Sequence, residues 1–369
     1  MPSIHYKNEV QKRNFYTYLG QSKGFSAKSI SSFEKAIWLW EDYSDKADFA
    51  NFNKTKAEEF KNWLKDKKKV RTEVKVSLSY CYDMLRYLKV FFEWLSKQPG
   101  YRSKINSTDI EYLNLTKAEV RIATQSKVKD VPTLEEIKTV IESIQGKTEI
   151  EMRDKALISL MLLTGIRISA LASLPMGSFD REKLVIDQDP KLGVKTKFSK
   201  QITSVFIPFP YSEPKNYVLE WFDYLEKEKK FQPNDPLFPS TKVETGKENF
   251  SYYNTEQVGS TFWKGTTPIR KIFGKRFIQA GVKYYHPHSF RDLLVKEISK
   301  LPLTEEQKKA FSQNLGHEDV GTTFGSYGYG HIEPVRQIEI LRGISFEKTN
   351  RKMGDFTKEE IMLFLEKKL

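Results

Sequence analysis

The sequence has little of what stabilises small secreted domains or builds metal centres. Among its 369 residues there is one cysteine, Cys81, which excludes an internal disulfide and any cysteine-based zinc cluster. No run of 18 apolar residues occurs, and the segment Met1–Lys7 lacks the apolar stretch of a signal peptide. We therefore expect a cytoplasmic protein that folds in a reducing compartment and has no membrane partner.

Acidic residues are also in deficit. Lys and Arg number 61 against 48 Asp and Glu, for a formal net charge of +13. Such a surface concentrates polyanions, and nucleic acid is the commonest one. Charge alone fits a merely soluble basic protein equally well, so the excess indicates a partner class without establishing it.

The first 115 residues are predicted to form a small helical domain. Apolar residues recur every three or four positions, as one face of a helix requires, in Ile30, Phe33, Ile37 and Trp40 and again along Leu78–Leu95. Thr55 and Glu58 have the spacing of a capping box. A basic cluster also lies here, consisting of Lys65, Lys67, Lys68, Lys69 and Arg71. Taken alone, the cluster is typical of a solvated face.

Residues 116–131 are mainly polar and are interpreted as a linker, which leaves 132–369 as a second domain. Thr133 and Glu136 predict a capping box at its start. The next helix should end at Gly165, because glycine tolerates the left-handed conformation of a helix C-cap.

Three short runs later in the second domain suggest a small antiparallel sheet. They are Leu184–Ile186, Val194–Phe198 and Ser204–Ile207, with a hairpin near Ser199–Gln201. From Pro214 onward the pattern predicts helices. The fold class is therefore mainly α with a small antiparallel β-sheet.

Five residue types that together can move a phosphoryl group follow one another in this second domain. Arg167 and Arg291 could hold the non-bridging oxygens of a phosphodiester with bidentate hydrogen bonds. His288 lies three residues before Arg291, so both side chains reach the same side of a helical turn. A histidine there could exchange a proton with an attacking group. His286 and His288 could also be considered a metal pair, but no cysteine or acidic cluster completes such a site.

Two further residues complete the set. His317 follows a glycine, where a helix ends and the backbone can turn sharply. Tyr327 lies between glycines, in a segment that could move a nucleophile toward a substrate. Tyr329, two residues on, is a rival nucleophile.

This ordered set resembles the motifs of the tyrosine recombinase, or phage integrase, family: Arg, Lys, His-x-x-Arg, Gly-His and Tyr. Arg167, His288, Arg291, His317 and Tyr327 match those motifs one by one. The resemblance implies an N-terminal helical core-binding (SAM-like) domain ahead of an α+β catalytic domain, and a C-shaped clamp around duplex DNA. Beside such a catalytic domain, the basic cluster becomes a candidate contact with the DNA backbone.

The family also uses a lysine on a β-hairpin to protonate the leaving 5′ oxygen. Here the hairpin offers Lys195, Lys197 and Lys200. Lys195 and Lys197 would share one face of a strand, and Lys197 is the first choice with Lys195 as the alternative. Two departures stand out: Ala170 replaces the acidic residue that usually follows the first arginine by three positions, and Asp292 replaces a frequent histidine.

The resemblance implies a site-specific DNA recombinase that forms a 3′-phosphotyrosine intermediate without metal, ATP or other cofactor. It further implies a specific recombination site, a tetramer on DNA, and a possible accessory DNA-bending protein. A short amphipathic pattern with a capping box at Thr357 and Glu360 predicts a C-terminal tail helix that docks on a neighbour or on its own domain. Two other classes fit the same residues: a type IB topoisomerase, and a non-catalytic DNA-binding accessory protein.

Overall fold

The structure is a computed structural model that describes residues 5–69, 72–125, 130–245 and 252–326. The chain divides into two compact units, Met1–Lys127 and Val128–Leu369, called here the first and second units. The domain limits expected from the sequence remain a prediction. Within the described ranges, no helix is both long and apolar enough to cross a membrane.

The described part of the first unit is helical. Its helices are α1 (Tyr6–Thr17), α2 (Ala27–Tyr43), α3 (Lys54–Asp66), α4 (Leu78–Leu95), α5 (Ser107–Ile110) and α6 (Lys117–Thr124). Ser26 and Ser77 cap α2 and α4 by accepting a hydrogen bond from a backbone N–H of the first turn. The predicted capping box of α3 is wrong. Asn53 is its N-cap and accepts from the Lys56 N–H, because an asparagine just upstream competes well for that position.

Aromatic side chains fill the core of the first unit. Trp40 packs edge-on against Phe60 and Phe92, with ring centroids 5.1 Å apart in both pairs. Such contacts add to the area that the rings bury. Cys81 lies in this core with 1% of its surface exposed, and burial raises the pKa of its thiol. The lone cysteine is therefore a core residue.

Much of the segment interpreted as a linker is folded in the structure. Residues 117–124 form α6, which begins with a capping box between Thr116 and Glu119. Its residue Val120 packs against the core of the first unit, beside the buried Leu115. The polar composition that suggested a linker reflects a helix with one narrow buried face.

The described part of the second unit combines helices with two small sheets. Its helices are α7 (Leu134–Ser143), α8 (Glu149–Thr164), α9 (Ile168–Leu171), α10 (Glu213–Lys227), α11 (Thr267–Gln279), α12 (Ser289–Ile298), α13 (Glu305–Asn314) and α14 (Val320–Ser326). Its strands are β1 (Phe179–Asp180), β2 (Val185–Gln188), β3 (Ile202–Val205), β4 (Thr241–Thr245) and β5 (Tyr252–Val258). The capping box of α7 and the left-handed Gly165 at the end of α8 confirm two predictions.

The first sheet has the antiparallel order β1-β2-β3, with Val185 opposite Val205 and Gln188 opposite Ile202. The predicted strand Val194–Phe198 is wrong, since these residues belong to the loop between β2 and β3. Phe198 and Ser199 there have positive φ values of 61° and 51°, which no strand allows. The hairpin β4-β5 was missed, because its residues alternate polar and apolar types too weakly to stand out from the helices around them.

Helix α8 lies at the centre of the second unit. From Ala156 to Thr164 every residue is buried, and apolar neighbours surround it on several sides. Arg153 and Asp154 are also buried, each 1% exposed. Asp154 accepts from Arg153 Nη2 at 2.7 Å and from Arg276 Nε at 2.9 Å, so this buried carboxylate joins α8 to α11.

Candidate active site

The turn after α8 positions the first arginine of the predicted set. Gly165 has φ +62°, and a Cβ placed on it would come within 2.7 Å of Leu315 and 2.8 Å of Leu294. Only glycine fits that conformation in that space. The chain therefore turns tightly, and Arg167 follows as the N-cap residue of α9.

Helix α12 supplies the second arginine. Arg291 is 2% exposed, and its guanidinium donates to two main-chain carbonyls, Nη1 to Gly165 and Nη2 to Leu315, both at 2.6 Å. These short bonds to fixed acceptors set the plane of the guanidinium. Arg291 is thus held between the end of α8 and the end of α13.

The end of α13 brings the two arginines together. The Leu315 carbonyl oxygen accepts from Arg291 and also, at 3.4 Å, from Arg167 Nη1. The next residue, Gly316, has φ +69°, and a Cβ on it would lie 2.4 Å from Ile202 of β3 and 3.3 Å from Arg167 Nη1. A left-handed glycine is required where backbone, strand and guanidinium approach this closely.

Strand β3 supports the same turn. The Ser204 hydroxyl donates to the Asn314 carbonyl at 2.8 Å, and the Val205 N–H donates to the Asn314 side chain at 2.6 Å. Gln188 of β2 in turn donates to Ser204 at 2.8 Å. The small sheet therefore anchors the end of α13, and through it the residues that follow.

His317 lies against Arg291. The His317 Nε2 atom is 2.9 Å from Arg291 Nη2, its Nδ1 atom is 2.8 Å from Thr323 Oγ1, and the residue is 4% exposed. Burial, the positive charges of Arg291, Arg167 and Lys197, and the neighbouring His288 lower the pKa of His317 to about 4. The imidazole is therefore neutral at pH 7.

The loop between β2 and β3 carries the candidate lysines. Lys197 is exposed, lies 4.8 Å above the Phe198 ring, and is close enough to His317 to affect its pKa. Lys195 is held by its backbone, which donates to Ser173 Oγ at 2.8 Å, and Lys200 pairs with Glu318 at 3.1 Å. The expectation that Lys195 and Lys197 share a face of a strand is wrong, because this segment is a loop.

His288 is the N-cap residue of α12 and is exposed. Its backbone N–H donates to His286 Nδ1 at 3.2 Å. His288 is near enough to contribute to the pKa shift of His317, so it belongs to the same neighbourhood as the arginines. Unlike the buried Arg291, His288 is an exposed residue.

Part of the predicted set lies outside the described residues: Tyr327, Tyr329, Arg71 and the tail helix around Thr357 and Glu360. The last described residue before Tyr327 is Ser326, at the end of α14. Among the described residues, no group of three or more His, Cys, Asp or Glu side chains could hold a metal ion.

The two departures from the family pattern occupy buried positions. Ala170 is fully buried in α9, within the core of the second unit, and Asp292 is 3% exposed in α12. A carboxylate at position 170 would need a polar partner in this apolar surrounding. Alanine there removes that need.

The basic cluster of the first unit is partly neutralised. Lys65 forms an ion pair with Glu119, and Lys68 pairs with Glu73. Lys67 lies 4.4 Å above the ring of Trp63, whereas Lys69 is exposed. The prediction that Lys65, Lys67, Lys68 and Lys69 contact DNA remains a prediction.

Sequence reasoning missed the groups that support Arg291 and His317 through hydrogen bonds. The Leu315 carbonyl and the Thr323 and Ser312 hydroxyls are such groups. A main-chain carbonyl leaves no mark in a sequence. Thr323 is a polar residue six positions after His317, but no spacing rule pairs the two.

Comparison with known proteins identifies the family of this chain. The family model described as the phage integrase family matches residues 131–329, more than half of the chain and all of the catalytic candidates up to Tyr327. The fold and the site thus define a protein of the tyrosine recombinase class. The chain belongs to the phage integrase family, whose members are DNA strand-transferring enzymes.

Curated relatives extend the likeness over nearly the whole chain. A tyrosine recombinase XerC from Lactobacillus delbrueckii subsp. bulgaricus is 22% identical over 318 residues, covering 85% of this chain and 92% of the relative. A tyrosine recombinase XerD from Oceanobacillus iheyensis is 23% identical over 346 residues, covering 90% and 97%.

Solved structures share the fold. A lambda integrase dimer bound to a COC′ core site matches with a TM-score of 0.57 at 12% identity, over 93% of this chain and 99% of that one. The Tn1549 transposon integrase in complex with transposon right end DNA gives 0.57 at 15% identity, over 90% and 99%. These likenesses confirm the mainly α fold class with small antiparallel sheets.

Proposed function

We propose that this protein is a site-specific DNA recombinase that cuts and rejoins duplex DNA through a 3′-phosphotyrosine at Tyr327. The observation that carries the proposal is the convergence of Arg167, Arg291 and His317 on the Leu315 carbonyl and its surroundings. Two guanidinium groups and an imidazole on one turn form a positive site suited to the oxygens of a phosphodiester.

In the proposed reaction the Tyr327 phenolate attacks phosphorus, a bond to the 5′ oxygen breaks, and a 3′-phosphotyrosyl ester forms. Arg167 and Arg291 stabilise the charge that develops on the non-bridging oxygens. His288, an exposed residue in the same neighbourhood, takes the proton of the phenol, and Lys197 protonates the leaving 5′ oxygen. The phosphotyrosyl ester keeps the energy of the original bond, so the second strand rejoins without ATP.

His317 has a more particular part in this scheme. Its Nε2 faces the N–H of Arg291 and therefore accepts, because a guanidinium only donates. A bound phosphate adds negative charge and raises the pKa of the ring. Nε2 then gains a proton, gives up its contact with Arg291 and donates to a non-bridging oxygen, the role that the family resemblance implies.

Lys197 is preferred over Lys195 on two grounds. Its charge reaches His317, whereas the backbone of Lys195 is tied to Ser173. Lys197 is also exposed in its loop, so its ammonium group is accessible to a leaving oxygen.

The relatives suggest the partners. The lambda integrase structure is a dimer bound to a core site, and a XerH site-specific recombinase structure, which matches with a TM-score of 0.52, is bound to a difH substrate. We infer duplex DNA carrying a specific site as the substrate here, with several protomers assembled on it. Lys65, Lys67, Lys68, Lys69 and Arg71 are proposed contacts with its backbone.

The test uses nicked duplexes of random sequence. Cleavage near the nick releases a short fragment that carries the new 5′ hydroxyl, and because this fragment diffuses away, the covalent intermediate cannot be rejoined and is trapped. Unmutated protein should form adducts that survive denaturation, and sequencing the trapped DNA would reveal the site. Tyr327→Phe should abolish the adducts, because the attacking phenol is removed, while Tyr329→Phe should retain them.

Three other outcomes would overturn parts of the proposal. Adducts with Tyr327→Phe would refute the nucleophile assignment. If the protein binds DNA but forms no covalent adduct with any of the sequences, it is a non-catalytic DNA-binding protein. Relaxation of a supercoiled plasmid without strand exchange between trapped duplexes would indicate a topoisomerase of type IB.

A further inference from the structure

A chain of buried hydroxyl groups runs away from His317 on the side opposite Arg291. His317 Nδ1 lies 2.8 Å from Thr323 Oγ1, which lies 2.8 Å from Ser312 Oγ, which lies 3.3 Å from the Asp319 carbonyl oxygen. Ser312 and Thr323 are fully buried, so these hydroxyls bond to one another in a site that excludes solvent.

The two ends of this chain allow only one arrangement of protons. At one end, Arg291 has N–H groups and no acceptor, so His317 Nε2 accepts. At the other end, a carbonyl oxygen only accepts, so the single proton of Ser312 points to Asp319. Thr323 must then donate to Ser312, and its oxygen is left to accept from His317 Nδ1–H.

The reverse order is excluded by the same reasoning. If Thr323 donated to Nδ1, the ring proton of neutral His317 would lie on Nε2 and face the Arg291 N–H. Two donors at 2.9 Å repel each other, and the Ser312 oxygen would lose its donor. The low pKa of His317 keeps the ring neutral, so the doubly protonated ring is not an alternative arrangement at pH 7.

We propose that Thr323, supported by Ser312, is a positioning residue of the active site: its hydroxyl holds the proton of His317 on Nδ1 and so makes Nε2 the acceptor that orients Arg291. The proposal rests on the function proposed above for Arg291. Thr323 touches neither substrate nor reacting atoms and acts through the imidazole, as second partners of catalytic histidines do.

The position of Thr323 gives this contact a second consequence. It lies on α14, four residues before Tyr327 in the sequence. The hydroxyl that sets the proton of His317 therefore also anchors the helix that leads to the proposed nucleophile. Packing of Phe324 against the apolar cluster around Phe311 and Leu315 holds the same helix.

The decisive measurement is the tautomer of His317, read by ¹⁵N NMR on protein labelled at histidine nitrogens. The His317 signals are assigned by their loss in His317→Gln. At pH 7 the unmutated protein should show a protonated Nδ1 and an unprotonated Nε2. An Nε2–H tautomer would overturn the proposal directly, and no DNA is needed for this measurement.

Variants connect the tautomer with activity. Thr323→Val keeps the volume and removes the hydroxyl, so the signals should lose the pure Nδ1–H pattern. Adduct formation should slow about 10- to 100-fold, by analogy with the loss of a hydrogen-bond partner behind a metal-ligating histidine. Thr323→Ser restores the hydroxyl and should restore both readouts. Thr322→Val, at the exposed neighbouring position, should change neither.

The outcomes separate this proposal from the proposed function. If the unmutated protein shows the Nδ1–H tautomer but forms no adducts, the recombinase function fails and the assignment of the proton stands. If Thr323→Val folds, as judged by thermal unfolding, and keeps both the tautomer and the adduct rate, Thr323 is not a positioning residue. Should Thr323→Val fail to fold, the tautomer of the unmutated protein and the rate of Thr323→Ser still decide.

Discussion

Replacing Gly165 with alanine should destabilise the protein and disturb the active site together. Gly165 has φ +62°, a conformation that costs other residues roughly 1–2 kcal/mol. The added Cβ would also lie 2.7 Å from Leu315 and 2.8 Å from Leu294, and forcing a methyl group into a packed core typically costs about 1–3 kcal/mol. Gly165→Ala should therefore lose about 2–5 kcal/mol of unfolding free energy.

Gly281 provides a matched control. It has nearly the same conformation, φ +68°, but apart from its two chain neighbours no heavy atom of the described residues lies within 4 Å of the position that a Cβ would occupy. Gly281→Ala should lose only the backbone part, roughly 1–2 kcal/mol. The entropy that alanine removes from the unfolded chain is the same in both variants and cancels in the comparison.

Urea unfolding followed by circular dichroism measures both losses. The Gly165 carbonyl also accepts from Arg291 Nη1 at 2.6 Å, so Gly165→Ala should slow adduct formation in native buffer, while Gly281→Ala should not. Equal stability losses in the two variants would refute the argument, because they would show that Leu315 and Leu294 do not restrict position 165.

Two further predictions concern buried charge. Asp154→Asn keeps the shape but leaves Arg153 and Arg276 without their shared carboxylate, so it should cost about 3–5 kcal/mol in urea unfolding; a loss below about 1 kcal/mol would contradict the buried pairing. Burial and nearby cations lower the pKa of His317 to about 4 from 6.5, so the unfolded chain takes up this proton first as the pH falls. The contribution of neutral His317 to the unfolding free energy is complete above pH 6.5 and is lost as the pH falls toward 4. The total loss is about 3 kcal/mol. The stability difference between unmutated protein and His317→Gln should shift by that amount, whereas parallel pH profiles would contradict it.

The sequence predicts the helical framework well where one strong signal is local. The period of apolar residues marked α4, and the capping pair Thr133 and Glu136 marked the start of α7. Gly165 was recognisable because a helix C-cap has a conformational requirement that glycine meets. Each of these signals depends on residues within one or two helical turns.

The sequence fails where the outcome depends on contacts between distant segments. Val194–Phe198 has the composition of a strand, but no strand in the described ranges pairs with it, and it becomes a loop. Likewise, Arg153 and Asp154 look like surface charges until Arg276, more than a hundred residues later, closes their network. Strand pairing and buried ion pairs are long-range interactions, which local patterns cannot specify.

The candidate site shows the same contrast between residues that a local motif reveals and groups that only long-range contacts bring into place. The identities of Arg167, Arg291 and His317 could be proposed from motifs, and the structure brings them together. The groups that orient them, a carbonyl at Leu315 and a hydroxyl at Thr323, could not be predicted. Main-chain atoms and isolated hydroxyls carry no distinctive pattern in a sequence.

The two hydrogen bonds from Arg291 to main-chain carbonyls also determine at which step its side-chain entropy is lost. An arginine side chain carries about 2 kcal/mol of rotamer entropy, and on a flexible surface that entropy would be lost as DNA binds. Here the hydrogen bonds to the Gly165 and Leu315 carbonyls fix the guanidinium within the second unit itself. The entropy cost of ordering this side chain is therefore met when the second unit folds. In the proposed function, a phosphate would then bind a guanidinium whose conformation is already set.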